Sequence, residues 1–255
     1  MTDRSERFLA QDATSLQQAA AEFQHELEAV KARLQPDFRW YPYGTLSNFV
    51  HLRPLLEAHP LLSLSKNPRV ADIGTADGDM AFFLERLGYT VDAIDYGPTN
   101  CNGLRGARLM REQLGSSVTI HEVDLDSQFV LPQAQYGLIF FLGTLYHLKN
   151  PFYVLEALAQ RTEYLLTSTR IARFAPNHQP ICDIPVAYLL APDECNNDPT
   201  NFWIFTEAGL MRIFDRAGWE VVASRHVGDT EMSDPARSDR DERLFAILRS
   251  RSLRR

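Results

Sequence analysis

The sequence predicts an α/β fold: a seven-stranded, mostly parallel sheet with an antiparallel last strand, helices on both faces and a helical extension at the N-terminus. Three observations carry this. From Pro68 onward, short apolar runs rich in β-branched residues alternate with helix-like stretches. The run Val70–Ile73 passes through a glycine-bearing loop directly into a helical pattern. The last two apolar runs are joined by a polar, helix-poor segment, Gly228 to Glu242, which suits an antiparallel return.

The elements follow in order. Residues 14–34 contain no Gly or Pro, and Leu16, Ala19, Ala20, Phe23, Leu27, Val30 and Leu34 recur at helical spacing before Pro36 ends the run. Such a stripe packs either on the main domain or on a partner chain, so a homodimer is one possible outcome. An aromatic segment, Phe38 to Gly44, leads to a second helical stretch from Leu46 to His59. Expected strands are Val70–Ile73, Thr90–Ile94, Val118–His121, Leu138–Leu142, Tyr164–Ser168, Glu220–Arg225 and Leu244–Leu248. Helices are expected at Met80–Leu87, Leu104–Leu114, Pro151–Gln160 and Glu207–Arg216. The domain reading is therefore 1–65 for the extension and aromatic segment, and 66–250 for the α/β domain.

Composition narrows the class. With 45% hydrophobic residues among 255, there is ample material for a core, and a disordered chain is excluded. A net charge of −7 argues against an extended basic face for nucleic acid. Cys101, Cys182 and Cys195 are too scattered for a disulfide framework or a Cys-x-x-Cys metal site, so reduced thiols and no metal are expected. The first twelve residues lack the apolar core of a secretion signal, and no apolar run approaches the roughly 20 residues of a membrane span. The expectation is a soluble, cytoplasmic protein.

The richest stretch is Asp72-Ile73-Gly74-Thr75-Ala76-Asp77-Gly78, between the first strand and its helix. Glycines there permit positive φ and close approach of backbone to a ligand, and the helix N-terminus offers N–H donors. Asp95 ends the second strand at about the 20-residue distance from which an acid can accept hydrogen bonds from ribose hydroxyls. Asp124 follows the third strand. The Gly-x-x-x-Gly spacing fits a dinucleotide site less well, and no Gly-Lys-Ser/Thr follows to make a P-loop.

This set resembles the cofactor site of class I S-adenosylmethionine-dependent methyltransferases, over about residues 66–250, and implies their Rossmann-like sheet. By that resemblance Gly74, Thr75, Ala76 and Gly78 line the methionine part, Asp95 and Tyr96 the ribose, and Asp124 and Leu125 the adenine. Asp72 organises the loop or meets the methionine ammonium through water, and Leu142 and Gly143 close the site at the end of strand four. Ala76 stands where the family usually has glycine, which crowds the cofactor slightly.

Two further motifs are Leu145-Tyr146-His147 after the fourth strand and Asp198-Pro199-Thr200-Asn201-Phe202-Trp203 before a helix. Together they are similar to the subgroup containing the tRNA wobble-uridine carboxymethyltransferases, whose donor is carboxy-S-adenosylmethionine. A carboxylated donor needs a cation beside the transferred group, and Arg39, Arg53, Arg170 and Arg173 are candidates. The acidic total makes tRNA the less favoured acceptor, because RNA affinity comes mostly from phosphate contacts. A basic tail, Arg249 to Arg255, reads as a solvated end.

In-line methyl transfer depends on alignment, with a base where the acceptor must lose a proton. His147 is the candidate base, or else a cap on the helix before Pro151. Tyr146 orients the acceptor, faces the sulfonium with its ring, or simply packs. Tyr41 and Tyr43, with Asn201 and Trp203, are candidate substrate contacts, the last two on resemblance alone. The irregular stretch of about 171–203 is expected to cover the substrate site. The reading is an S-adenosylmethionine-dependent methyltransferase acting on O or N of a small molecule. Its alternatives are a tRNA-modifying carboxymethyltransferase and a non-catalytic nucleoside-binding domain.

Overall fold

The computed structural model describes residues 12–64 and 67–254; the N-terminal stretch weighed above for a targeting signal lies mostly outside them. Two compact units emerge, one of residues 1–124 with 128–140, the other of residues 125–127 with 141–255. The division runs through the fourth strand, and the described part of the N-terminal extension falls in the first unit.

In the first unit, helix α1 (Ala13–Arg33) starts where the Asp12 carboxylate accepts the Ser15 N–H at 2.8 Å. Its buried face is Leu16, Ala20, Phe23, Gln24 and Leu27; of the stripe read from the sequence, Ala19, Val30 and Leu34 are only half-buried, and Gln24 was not part of it. Helices α2 (Phe49–Ala58), α3 (Leu61–Leu64) and α4 (Asp79–Arg86) follow. The Phe83 ring of α4 lies 5.9 Å from that of Phe23 and 5.2 Å from that of Phe49. The extension therefore packs on its own domain, with burial of aromatic surface as the driving force.

Strands β1 (Arg69–Ile73), β2 (Thr90–Asp95), β3 (Thr119–Glu122) and β4 (Tyr136–Leu142) stand in the order β3-β2-β1-β4, all parallel. Helix α5 (Arg105–Leu114) joins β2 to β3. The chain steps outward from β1 to β3 and then returns to β4 on the other side of β1. That reversal is a topological switch point, where open α/β sheets bind ligands at the carboxyl ends of their strands.

In the second unit, the last residues of β4 run beside β5 (Thr162–Ile171): the Thr167 hydroxyl donates to the Phe141 carbonyl at 3.1 Å, and the Gly143 N–H donates to the Ser168 carbonyl at 2.9 Å. Helix α6 (Pro151–Ala159) begins with Pro at its first turn, where the missing N–H costs nothing. Helix α7 (Glu207–Arg216) is capped by Thr206. Strand β9 (Glu242–Ser250) is antiparallel to β5, from Tyr164↔Arg249 to Ile171↔Glu242, and to β8 (Trp219–Gly228) on its other side.

The expected architecture is present, with one addition. Two three-residue strands, β6 (Ala187–Leu189) and β7 (Trp203–Phe205), pair antiparallel, and β7 touches β5 through Ile171↔Phe205. They bring order to the stretch read as irregular. Among the described residues no helix is long and apolar enough to cross a membrane.

Candidate active site

The first unit carries a glycine loop shaped by backbone conformation. Gly74 and Gly78 have φ of +78° and +90°, and a Cβ at Gly78 would lie 2.6 Å from the Phe82 ring. Ala76 shares the left-handed region at φ +52°, a conformation that costs a non-glycine residue roughly 1 kcal/mol or more. The loop is pinned at its start, where the Gly74 N–H donates to the Ile94 carbonyl at 2.8 Å. It is pinned again where the buried Thr75 hydroxyl donates to Asp72 at 2.6 Å. Burial pushes the Asp72 carboxyl up to about 7, although the Thr75 hydroxyl opposes the shift.

Asp95 sits at the carboxyl end of β2. One oxygen accepts the Tyr96 N–H at 2.8 Å, while the other accepts the Ala76 N–H and the Asn100 side-chain amide, each at 3.0 Å. Burial raises its pKa against those three donors. A carboxylate offers about four lone-pair sites, so Asp95 has room for one ribose hydroxyl as it stands, and for a second if Asn100 releases it. Asp124 is half-buried one residue beyond Val123, whose N–H donates to the Asp95 carbonyl at 2.9 Å. The loop and Asp95 thus fit a nucleoside-linked amino acid: backbone that can approach closely, and a ribose acceptor at the strand end.

The aromatic segment belongs to the same unit. Tyr41 and Tyr43 stack edge to face at 5.5 Å, with Tyr41 half-buried and Tyr43 69% exposed.

The second unit holds the other candidates. Leu145–His147 forms a single 3₁₀ turn after β4, following Leu142 and Gly143, the latter at φ +69°. Leu125 is buried in this unit. The two sequence motifs prove to be bonded to each other: the Phe202 N–H donates to the Tyr146 carbonyl at 2.9 Å, and Trp203 Nε1 donates to the Lys149 carbonyl at 3.4 Å. Nδ1 of His147 lies 2.9 Å from the Thr200 hydroxyl oxygen and 3.2 Å from the Thr200 carbonyl. With that carbonyl as acceptor, Nδ1 carries the proton and Nε2 the lone pair. Burial lowers the His147 pKa, and the Asp198 charge opposes this. Asn201 is buried and donates to the Cys195 carbonyl at 3.3 Å.

Tyr146 is 8% exposed, its ring 4.2 Å from that of His147. The Arg243 guanidinium lies 5.7 Å from the centre of the Tyr146 ring and donates to Asp241 at 2.9 Å. Burial works against its charge, but Tyr146 and Asp241 outweigh burial and raise its pKa further. Arg243 was not among the arginines singled out from sequence. Of those, Arg53 lies near Glu57, Arg170 is buried against Asp241 and Cys195, and Arg173 is paired with Glu242.

A model of the methyltransferase domain matches residues 44–224. The chain belongs to the methyltransferase-domain family. No curated protein matches it. Among solved structures it is similar to the N-terminal domain of EvdMO1, determined with SAH bound, at 17% identity and a TM-score of 0.59, covering 91% of this chain and 97% of that one. It is also similar to the PH0226 protein of Pyrococcus horikoshii OT3, at 14% identity and 0.56, covering 87% and 99%. The [4+2]-cyclase SpnF follows at 15% identity and 0.55, covering 92% and 96%. At such identities these likenesses speak for the fold, which is the one expected from the sequence.

Proposed function

We propose that this S-adenosylmethionine-dependent methyltransferase moves a methyl group to an oxygen or nitrogen of a small-molecule acceptor. The observation that carries the reading is the bond between His147 and Thr200. It supports a neutral imidazole with its lone pair on Nε2, a base that suits an acceptor losing an O–H or N–H proton. The donor supplies the electrophilic methyl. The loop from Gly74 to Gly78 and Asp95 would hold it, with Asp124 toward its base. Tyr146 orients the acceptor, and Asn201 and Trp203 contribute to its recognition. EvdMO1, whose N-terminal domain was determined with SAH, supports the donor class.

Charge favours a small acceptor over tRNA. The whole chain carries −7, and two arginines of the basic tail are already engaged: Arg251 with Asp215 at 2.7 Å and Arg249 near Glu163 at 3.8 Å. A cytoplasmic location is consistent with that chemistry and is part of the same proposal. One observation favours a second reading. Arg243 beside Tyr146 is the kind of cation a carboxylated donor requires.

A thermal-shift panel of S-adenosylmethionine, SAH, carboxy-S-adenosylmethionine and NAD decides among these, since a ligand bound only by the folded state raises its stability. Stabilisation by S-adenosylmethionine and SAH is expected, lost in Asp95→Ala. Stabilisation by the carboxylated donor alone, abolished by Arg243→Met, would establish the second reading. No response to any of the sulfonium compounds or SAH would overturn both.

A further inference from the structure

A buried charge cluster in the first unit has no part in the chemistry above. Lys31 Nζ, from α1, lies 3.3 Å from Asp77 Oδ2 and 2.8 Å from Asp79 Oδ1. The three side chains are 11%, 1% and 2% exposed. Gln24 adds a 3.4 Å bond to Asp79. The two carboxylates flank Gly78 at the end of the glycine loop. Two buried like charges so close need a cation, and the N-terminal extension provides it.

Asp77 has further partners. Oδ2 accepts the backbone N–H of Tyr41 at 2.8 Å, and Oδ1 accepts the side-chain amide of Asn102 at 2.8 Å. The same Asn102 nitrogen reaches the Arg39 carbonyl at 3.2 Å. A Cβ at Gly106 would fall 2.1 Å from Asp77 Oδ1, so the backbone of α5 closes the remaining side of this carboxylate. The segment from Arg39 to Tyr41 is thereby fastened to the glycine loop at both ends, and Lys31 lies 5.5 Å from the centre of the Trp40 ring between them.

We propose that Asp77, held by Lys31, is a positioning residue that couples the glycine loop to the aromatic segment Arg39–Tyr43, so that donor binding and ordering of that segment favour each other. The inference rests on the reading of the loop as the donor site. A carboxylate gripped by a cation, a backbone N–H and a side-chain amide cannot follow one of them without straining the others. Coupling of this kind is reciprocal: a donor that steadies the loop steadies the segment, and loosening the segment weakens the donor. Because Tyr41 and Tyr43 are candidate acceptor contacts, donor and acceptor then strengthen each other's binding.

The test is hydrogen–deuterium exchange over residues 38–46 of the full chain, with and without SAH, alongside calorimetric SAH affinity. Tyr41→Ala removes the ring and keeps the N–H given to Asp77; Tyr41→Pro removes both. SAH is expected to slow exchange of the segment about tenfold in wild type and in Tyr41→Ala. In Tyr41→Pro the slowing should vanish and SAH should bind at least about fivefold more weakly than to Tyr41→Ala, the lower end of typical coupling factors. Asp77→Asn should behave like Tyr41→Pro; should it not fold, the Tyr41 pair still decides. A merely structural Asp77 would lower the melting temperatures of the free and bound forms alike and leave the SAH effect on exchange intact. SAH binding to wild type with no slowing at 38–46 overturns the coupling alone. Failure of wild type to bind SAH overturns the donor reading and the coupling with it.

Discussion

Nδ1 of His147 lies 2.9 Å from Oγ1 of Thr200, and that hydroxyl donates to Asp198 at 2.6 Å. The three residues form a line from a carboxylate through a hydroxyl to an imidazole, drawn from the two motifs that stood out in the sequence. Orientation of a base by a second group, itself fixed by a third, is a recurring way to hold a proton acceptor in place.

His147→Ala should lower turnover by about 10²–10⁴-fold, the usual worth of a general base, with SAH affinity unchanged. Thr200→Val should cost less, about tenfold, by freeing the ring to rotate. Burial holds the His147 pKa below 6.5, so the imidazole is neutral at pH 7 and activity should fall only on the acid side of 6.5. The Asp198 charge raises that pKa, so Asp198→Asn should move the acid limb to still lower pH. Wild-type turnover in His147→Ala would remove the residue from the mechanism.

Asp72 makes ligand-free stability fall as pH rises. Its carboxyl is lifted from an ordinary 3.8 to about 7, so the folded state binds more protons than the unfolded state between those values. The contribution is fully present below about 4 and is lost as pH rises through about 7. Melting temperatures measured from pH 5 to 8 should decline in wild type and decline less in Asp72→Asn. Equal slopes in the two proteins would show that Asp72 titrates normally.

Ala76→Gly relieves the strain of a positive φ but raises the entropy of the unfolded chain, which disfavours folding. The two effects are each roughly 1 kcal/mol and of opposite sign, so stability should change by less than about 1 kcal/mol. SAH affinity should hold or improve, because the methyl group at the loop is gone. A clear loss of affinity would mean that the Ala76 methyl contacts the donor productively.

Glu242 is fully buried and depends on its partners. Arg173 donates to it twice, at 2.9 and 2.7 Å, with Ser233 at 2.6 Å and His226 at 2.8 Å. Burial raises its pKa, but these partners outweigh burial and hold the carboxyl below its usual value. Its stabilisation is therefore present above the unfolded pKa and lost as pH falls through the folded one. Arg173→Met should cost about 3 kcal/mol at neutral pH, the low end for a broken buried pair because Arg173 is itself partly exposed. Urea midpoints at pH 7 and pH 4 would check this, and the deficit should shrink at the lower pH.

Local patterns made most of the fold legible. The stripe of α1, the alternation after Pro68 and the loop from Asp72 to Gly78 are set by residues close in sequence, so a single chain displays them. Strands β6 and β7 were not legible, because three residues among Pro, Asn and Asp give no period to detect. Arg243 escaped for a different reason. Its place over Tyr146 depends on the antiparallel pairing that sets Arg243 opposite Arg170, and no local feature of the sequence states that register. The link of Thr200 to His147 spans 53 positions and was likewise invisible, although both motifs had been singled out.

Lys31 bears on where this domain begins. The family match starts at residue 44, after α1 and after every backbone group that Asp77 holds in the aromatic segment. A protein cut at that point would keep all the residues of the shared pattern and lose Lys31, the cation that the first helix places against Asp77 and Asp79. Two buried carboxylates would then face each other across Gly78, and refolding around them would require water to enter. The evolutionary module and the physical module have different edges: the contacts that hold the glycine loop include the helix Ala13–Arg33, which lies ahead of the family match.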